Sequence, residues 1–234
     1  MAERNKADIK SMFDRIAPSY DKLNHLLSVG IDRSWRRRTA KRVSRHAPHD
    51  IADIAAGTGD LSIALARRMP DAQIVGVDLS EEMLAIGREK IRHRHLDSHI
   101  TLQQGDGENL PFEDSSFDAV TIAFGIRNFA DREAGLREAL RILRPGGHLY
   151  ILEFSMPKNK LFAPIYKLYF RNAVPAIGKF ISKDVNAYDY LPNSVEQFPE
   201  KLLFLQKMTR SGFAECRMKN FLFGVTILYE GVKK

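Results

Sequence analysis

The segment Asp53-Ile-Ala-Ala-Gly57-Thr58-Gly59-Asp60 sets two glycines two positions apart, four residues after a carboxylate. Glycines at that spacing let the backbone turn tightly and let a ligand approach it without interference from a Cβ. Amides at the start of a following helix would then face an anionic group. Nineteen residues past Gly59 stands Asp78, in VGVDLS, where a carboxylate at a strand end can accept both hydroxyls of a ribose. A third acidic segment, Gly105-Asp106-Gly107, is also enclosed by glycines. Further on, TIAFGIRN (121–128) delivers Arg127 and Asn128 immediately after an apolar, β-branched run. A cation and an amide there either decorate a loop or reach into a site.

These residues need strand ends to carry them. From about residue 50 the chain alternates strand-like segments (50–55, 72–78, 99–104, 117–124, 148–154, 214–221 and 225–231) with helical patterns, which predicts a mainly parallel sheet with helices on both faces. Pro145-Gly146-Gly147 ends one helix and turns the chain into the next strand. Only about three residues, Leu222 to Gly224, join the last two strands, too few for a parallel crossover, so an antiparallel hairpin is expected. The expectation is a single domain over 1–234. Residues 1–49 form an N-terminal helical extension, 50–155 a cofactor-binding core, 156–198 a substrate-side insertion, and 199–234 a C-terminal helix and hairpin. Within the insertion, 161–181 reads as apolar helix and NAYDYLPNS (186–194) as a tyrosine-containing loop.

Composition narrows the classes. Hydrophobic residues make up 44% and charged residues 28%, which suits an ordinary soluble core. One cysteine, Cys216, excludes an internal disulfide framework and a multi-cysteine zinc site, and no metal is expected. The polar N-terminus lacks the apolar region of a signal peptide. No stretch approaches the roughly 18 apolar residues of a spanning helix, so a cytoplasmic protein is expected. The net charge of +7 is concentrated: seven Lys or Arg and no acid lie between Arg33 and Arg45. That run either contacts an anionic partner or is the solvated face of a helix whose buried stripe is Trp35, Thr39 and Val43. Sparse aromatic interleaving argues against single-stranded nucleic acid.

Glycines followed by an acid at the second strand end also mark NAD-binding folds, but here the third glycine of that fingerprint is Ser62. With its acids at three strand ends, the arrangement resembles the S-adenosylmethionine site of class I methyltransferases, a Rossmann-like α/β fold with a seven-stranded, mostly parallel sheet. Over essentially its whole length the chain resembles the ubiquinone/menaquinone biosynthesis C-methyltransferases. The matching segments are 13–37 (FDRIAPSYDKLNHLLSVGIDRSWRR), DIAAGTGDLS (53–62), 105–131, LRPGGHLYILEFSMP (143–157) and YDYLPNSVEQFP (188–199). The resemblance implies transfer of a methyl group from S-adenosylmethionine to a ring carbon of a prenylated quinol such as demethylmenaquinol. It puts the cofactor on Thr58, Asp78, Asp106 and Gly107, with Asp53, Gly57, Gly59 and Leu79 completing the glycine turn and strand ends. A serine that some members carry near the end of the fourth strand is Ala123 here, so that hydroxyl contact is absent.

A quinol hydroxyl has a pKa near that of tyrosine, about 10, so ionising it near neutrality requires roughly three units, about 4 kcal/mol, from the site. Arg127 is the candidate cation for the oxyanion and Asn128 for orienting the ring. His25, Tyr20 and Tyr188 are candidates for the proton acceptor. His148 starts the fifth strand, away from the carboxyl ends where ligands bind. Glu153 could touch substrate or cap a loop. The expected partner is thus a prenylated quinol, with peripheral contact to an anionic membrane through the 33–45 helix as a further expectation. The 161–181 segment reads either as an isoprenoid-accommodating wall or membrane-facing surface, or as an ordinary buried helix. No nucleic acid is expected, and a homodimer stays open. The rivals are another small-molecule methyltransferase, an NAD-dependent oxidoreductase and an RNA-interacting module. The chain lacks the Asn/Asp-Pro-Pro-aromatic motif of amino-group methyltransferases and a cysteine placed for RNA carbon methylation.

Overall fold

A computed structural model describes residues 5–160, 162–173 and 185–234, the side chains of 162, 165, 173 and 185–189 excepted. Seven strands form one sheet: β1 (Asp50–Ile54), β2 (Gln73–Asp78), β3 (Ile100–Gln104), β4 (Phe117–Ala123), β5 (Leu143–Phe154), β6 (Ala214–Phe221) and β7 (Thr226–Val232). Their order is β3-β2-β1-β4-β5-β7-β6, parallel except for β7, which runs antiparallel to both neighbours. The order reverses between β1 and β4, and that switch point is where α/β sheets open a crevice at their carboxyl ends.

The strands alternate their side chains between two cores, as a period of two requires. Ile51, Ala119, Tyr150 and Leu152 face helices α2 (Ile31–Val43), α3 (Asp60–Arg68) and α4 (Glu81–Arg92). Ala52, Ile54, Val120 and Ile151 face α5 (Arg132–Ile142) and α8 (Lys201–Arg210). Side-chain caps start two of these helices where the sequence has Ser and Asp. Ser80 accepts from the Met83 amide, and Asp131 from those of Glu133 and Ala134.

The N-terminal extension is helical as expected. Helix α1 (Lys6–Leu27) buries Met12, Ile16 and Leu23 in a cluster with Met83 of α4, and α2 buries the Trp35, Thr39, Val43 stripe. The fifth strand differs in its start. Leu143 already pairs with Phe117, the ladder is then interrupted through the Pro-Gly-Gly turn, and regular pairing resumes at His148. The β6–β7 pair forms the expected hairpin, closed by a helical turn at Leu222–Gly224.

The insertion corrects one expectation. Asn186–Ser194 is not a loop but part of helix α7 (Val185–Glu196), with Pro192 inside it. Asn, Asp, Pro and Ser favour turns locally. Burial of Ser194 and Val195 and a bond from Tyr190 nevertheless give the segment a helical seat that outweighs propensity. Upstream, α6 (Phe162–Leu168) runs into a π-helical turn, Tyr169–Ala173. The remainder of the apolar 161–181 stretch and the side chain of Tyr188 lie outside the described residues. Among the described residues no helix is long and apolar enough to cross a membrane.

Candidate functional site

The carboxyl ends of β1, β2, β3 and β4 surround a cavity that α1 covers. At its centre Asp78 ends β2, its Oδ2 accepting from the Gly57 amide at 2.8 Å and its Oδ1 from the Ser80 amide at 2.9 Å. Burial pushes this carboxyl up, while the amide bonds pull it back. A carboxylate has about four lone-pair sites, so beside the Gly57, Ser80 and Leu79 amides acceptor capacity remains for a ligand's hydroxyl. Gly57 has φ +54° and nothing within 4 Å of where a Cβ would stand, so its open side faces the cavity. Leu79, Asp106 and Gly107 also line it; a Cβ on Gly107 would meet Phe129 at 2.7 Å and Ile54 at 2.8 Å. Lys6 reaches down from α1 to Asp106 at 2.7 Å and Glu108 at 2.9 Å, tying the helix over the opening.

Three expected contacts lie elsewhere. Strand alternation turns Asp53 to the α3 face. There it is 1% exposed and accepts from Ser62 at 2.6 Å and Thr121 at 2.7 Å. Burial raises its carboxyl to about 6 against the pull of those two hydroxyls. Thr58 points away from the cavity: its hydroxyl donates to Asp21 at 2.6 Å and accepts from Lys90 at 3.1 Å. Gly59, at φ +74°, starts α3 and packs against Leu102. All three hold the glycine turn from beneath and do not border the cavity.

A second, mostly apolar cavity opens beside the first, walled by Ile16, Leu27, Trp35, Phe154 and Phe170. Phe13, Tyr20 and Phe124 line both cavities and so form the partition between them. Phe124 adopts φ +59°, uncommon for an aromatic residue and an indication of local strain. Stacking on Phe154 at 4.4 Å and the Arg36 guanidinium at 5.4 Å hold it there.

Arg127 both faces the second cavity and braces the loop. It is 5% exposed, pairs with the fully buried Glu153 at 2.9 Å and donates to the Phe124 carbonyl. Asn128 lines the first cavity, its Oδ1 accepting from Tyr190 at 3.0 Å. Tyr20 lines both cavities; burial pushes its phenol up, against the pull of Arg127 and Arg36. His25 does not border either cavity. It lines a separate groove and meets Asp32 through Nδ1 at 2.7 Å.

Asp32, one residue ahead of the basic run, is the side chain that the sequence did not single out. It lines the second cavity, accepts from Ser28 at 2.7 Å and pairs with Arg36. Burial works against its charge, yet Ser28, Arg36 and His25 hold its carboxyl below the usual range. His25, Asp32 and Asp60 converge within 4.8 Å, but the Arg36 guanidinium lies within ion-pair distance of both carboxylates and supplies the charge a metal ion would bring. His148 lies at the far end of the sheet, stacked on His46 at 3.7 Å.

A 3-2-1-4-5-7-6 sheet with β7 antiparallel and an acid at the β2 end defines the class I methyltransferase fold. A solved S-adenosylmethionine-dependent methyltransferase of Thermotoga maritima shares it, with a TM-score of 0.67 at 20% identity over 96% of this chain and 99% of that one. The ubiE/COQ5 methyltransferase family model matches residues 1–233, and the chain belongs to that family. A demethylmenaquinone methyltransferase of Bacteroides fragilis is 40% identical over 98% of this chain and 94% of its own. A ubiquinone/menaquinone biosynthesis C-methyltransferase UbiE of Geobacter sulfurreducens is 46% identical over 96% of this chain and 88% of its own.

Proposed function

We propose that the protein methylates a ring carbon of a prenylated quinol with S-adenosylmethionine, demethylmenaquinol being the acceptor, as a cytoplasmic enzyme that works at the surface of an anionic membrane. The observation that carries this is the pair of cavities with a common aromatic partition: one edged by Asp78 and Asp106 at the strand ends, and a more apolar one beside it. The names of the relatives supply the quinol. Asp78, Gly57, Leu79, Asp106 and Gly107 hold the cofactor, which when bound supplies an electrophilic methyl group on a sulfonium. Phe13, Tyr20 and Phe124, which border both cavities, would position the acceptor ring against the bound cofactor, and such positioning is a large part of the acceleration.

The remaining task is the quinol proton. Arg127 lines the acceptor cavity and its partner Glu153 does not, so the cavity meets the positive end of that pair, and Arg36 presents a second guanidinium. Both favour the ring oxyanion. Tyr20, kept protonated by burial, donates a hydrogen bond to that oxygen. The Asp32–His25 pair, 2.7 Å apart between the acceptor cavity and the groove on the other side, is the route by which the quinol proton leaves. The imidazole is its acceptor, and the Asp32 carboxylate stabilises the imidazolium.

The test is methylation of demethylmenaquinol by the purified protein, read by mass spectrometry; no methylated product from the reduced quinol would overturn the reading. Arg127→Ala strands a buried carboxylate and is expected to cost about 3–5 kcal/mol of stability. The apolar pair Arg127→Met with Glu153→Leu restores stability to within about 2 kcal/mol of wild type. If Arg127 acts on the oxyanion, that double variant still turns over at least about 100-fold more slowly; wild-type turnover would reduce Arg127 to a brace.

A further inference from the structure

Behind the Asp32–His25 dyad lies a groove of about 790 Å³ of which the methyl-transfer chemistry uses only the His25 edge. Three helices line it with cations: Arg33, Arg37 and Lys41 from successive turns of α2, Arg67 and Arg68 from the end of α3, and Arg94 just past α4. Its floor is Ala40, Ile63 and Ala64. The two carboxylates that reach it are already matched, Asp21 by Lys90 at 2.6 Å and Asp60 by Lys90 at 2.5 Å and Arg36 at 3.8 Å. Among the described residues none of the six exposed cations has a carboxylate partner. Six like charges converging on one concavity repel one another, and a solvated helix face gives no reason for α3 and the end of α4 to add theirs to α2. The concavity therefore suits a ligand with more than one anionic oxygen, and Arg presents donors matched to phosphate.

The neighbourhood says where that phosphate comes from. Arg36 lines both the groove and the acceptor cavity, so one wall separates them. The turn from α1 into α2 carries Leu26, Val29 and Ile31 at 50%, 81% and 37% exposure. Val29 and Ile31 border the mouth of the acceptor cavity. Val29 holds φ +52° and projects its side chain into solvent, an outlying conformation for a β-branched residue. Exposed aliphatic residues next to a cationic face are the composition of a surface that sits in the headgroup region of a bilayer.

We propose that this groove is a binding site for phospholipid phosphates and that, with Leu26, Val29 and Ile31 in the acyl boundary, it holds the mouth of the acceptor cavity against an anionic bilayer. The proposal rests on the acceptor's being prenylated and therefore delivered from lipid. It moves the contact from the α2 helix alone to a site that Arg67, Arg68 and Arg94 complete.

The test is sedimentation of the full-length protein with vesicles of phosphatidylcholine alone or with one-third phosphatidylglycerol. Binding to the anionic vesicles is expected, with loss at high salt. The triple variant Arg33→Gln, Arg37→Gln, Lys41→Gln should bind about a hundredfold less, at a few-fold for each basic residue near an anionic surface. Val29→Ser should weaken binding several-fold with no change in salt sensitivity. Thermal midpoints within a few degrees of wild type establish that the variants fold. Equal sedimentation of wild type and triple variant overturns the proposal. So does calorimetric binding of pyrophosphate by a protein that ignores the vesicles, which would assign the groove to a soluble anion. Sedimentation does not depend on methyl transfer, so a failed quinol assay leaves this result readable.

Discussion

At the scale of single residues, Asp53 and Asp78 carry the same carboxyl group in opposite settings. Both lie near the carboxyl ends of early strands, yet one props the glycine turn and the other opens to the cavity. The difference is depth along the strands: Asp53 pairs with Gly76, two residues short of the edge that Asp78 occupies, which shows only once the register is known. Asp32 escaped notice because it precedes the basic run by one position, and its link to His25 depends on how the α1–α2 turn folds back. Asp53 also makes a pH prediction. Its carboxyl titrates at about 6 in the fold against 3.8 in an unfolded chain. Between those values the folded protein keeps a proton that the unfolded chain has released. Stability therefore falls as pH rises from about 4 to above 6, by up to about 3 kcal/mol. Asp53→Asn should flatten that part of the stability–pH curve measured by urea unfolding; an unchanged slope would mean the step belongs to other groups.

At the scale of elements, helix and strand order were readable because apolar periodicity and glycine-proline punctuation agree along residues 50–155. Helix α7 was not readable, since its stability comes from Asn128 and the core beneath it, and local propensity carries none of that. The turn after β4 shows how closely the elements meet. A Cβ on Gly125 would stand 2.4 Å from the Cβ of Ala55, at the switch point between β1 and β4. Gly125→Ala must push those strand ends apart, at about 1–3 kcal/mol. The expected outcome is a lower denaturant midpoint together with weaker S-adenosylmethionine binding by calorimetry. Lower stability with unaltered cofactor affinity would show that the strand ends yield without disturbing the cavity.

At the scale of the whole molecule, α1 is the element on which both cavities depend. It supplies Lys6 to Asp106 and Glu108, and Phe13 and Tyr20 to the partition. Its buried residues rest mainly on Met83 of α4 and not on the sheet. Local opening of α1 should therefore be easier than global unfolding. Saturating cofactor, at a hundred times its dissociation constant, should slow hydrogen exchange in α1 about 100-fold. Protection confined to 53–60 and 76–80 would show that the helix does not close over the ligand.

The shared partition has a kinetic consequence. Two aromatic residues of α1 and Phe124 just past β4 border both cavities, so release from one is expected to disturb the side chains that line the other. Coupled departure of the two products is therefore the expected outcome, read as a product-release step slower than methyl transfer in a single turnover. If the proposed acceptor is delivered from lipid, longer tails are expected to change turnover through exit and to leave the single-turnover methyl-transfer rate unchanged.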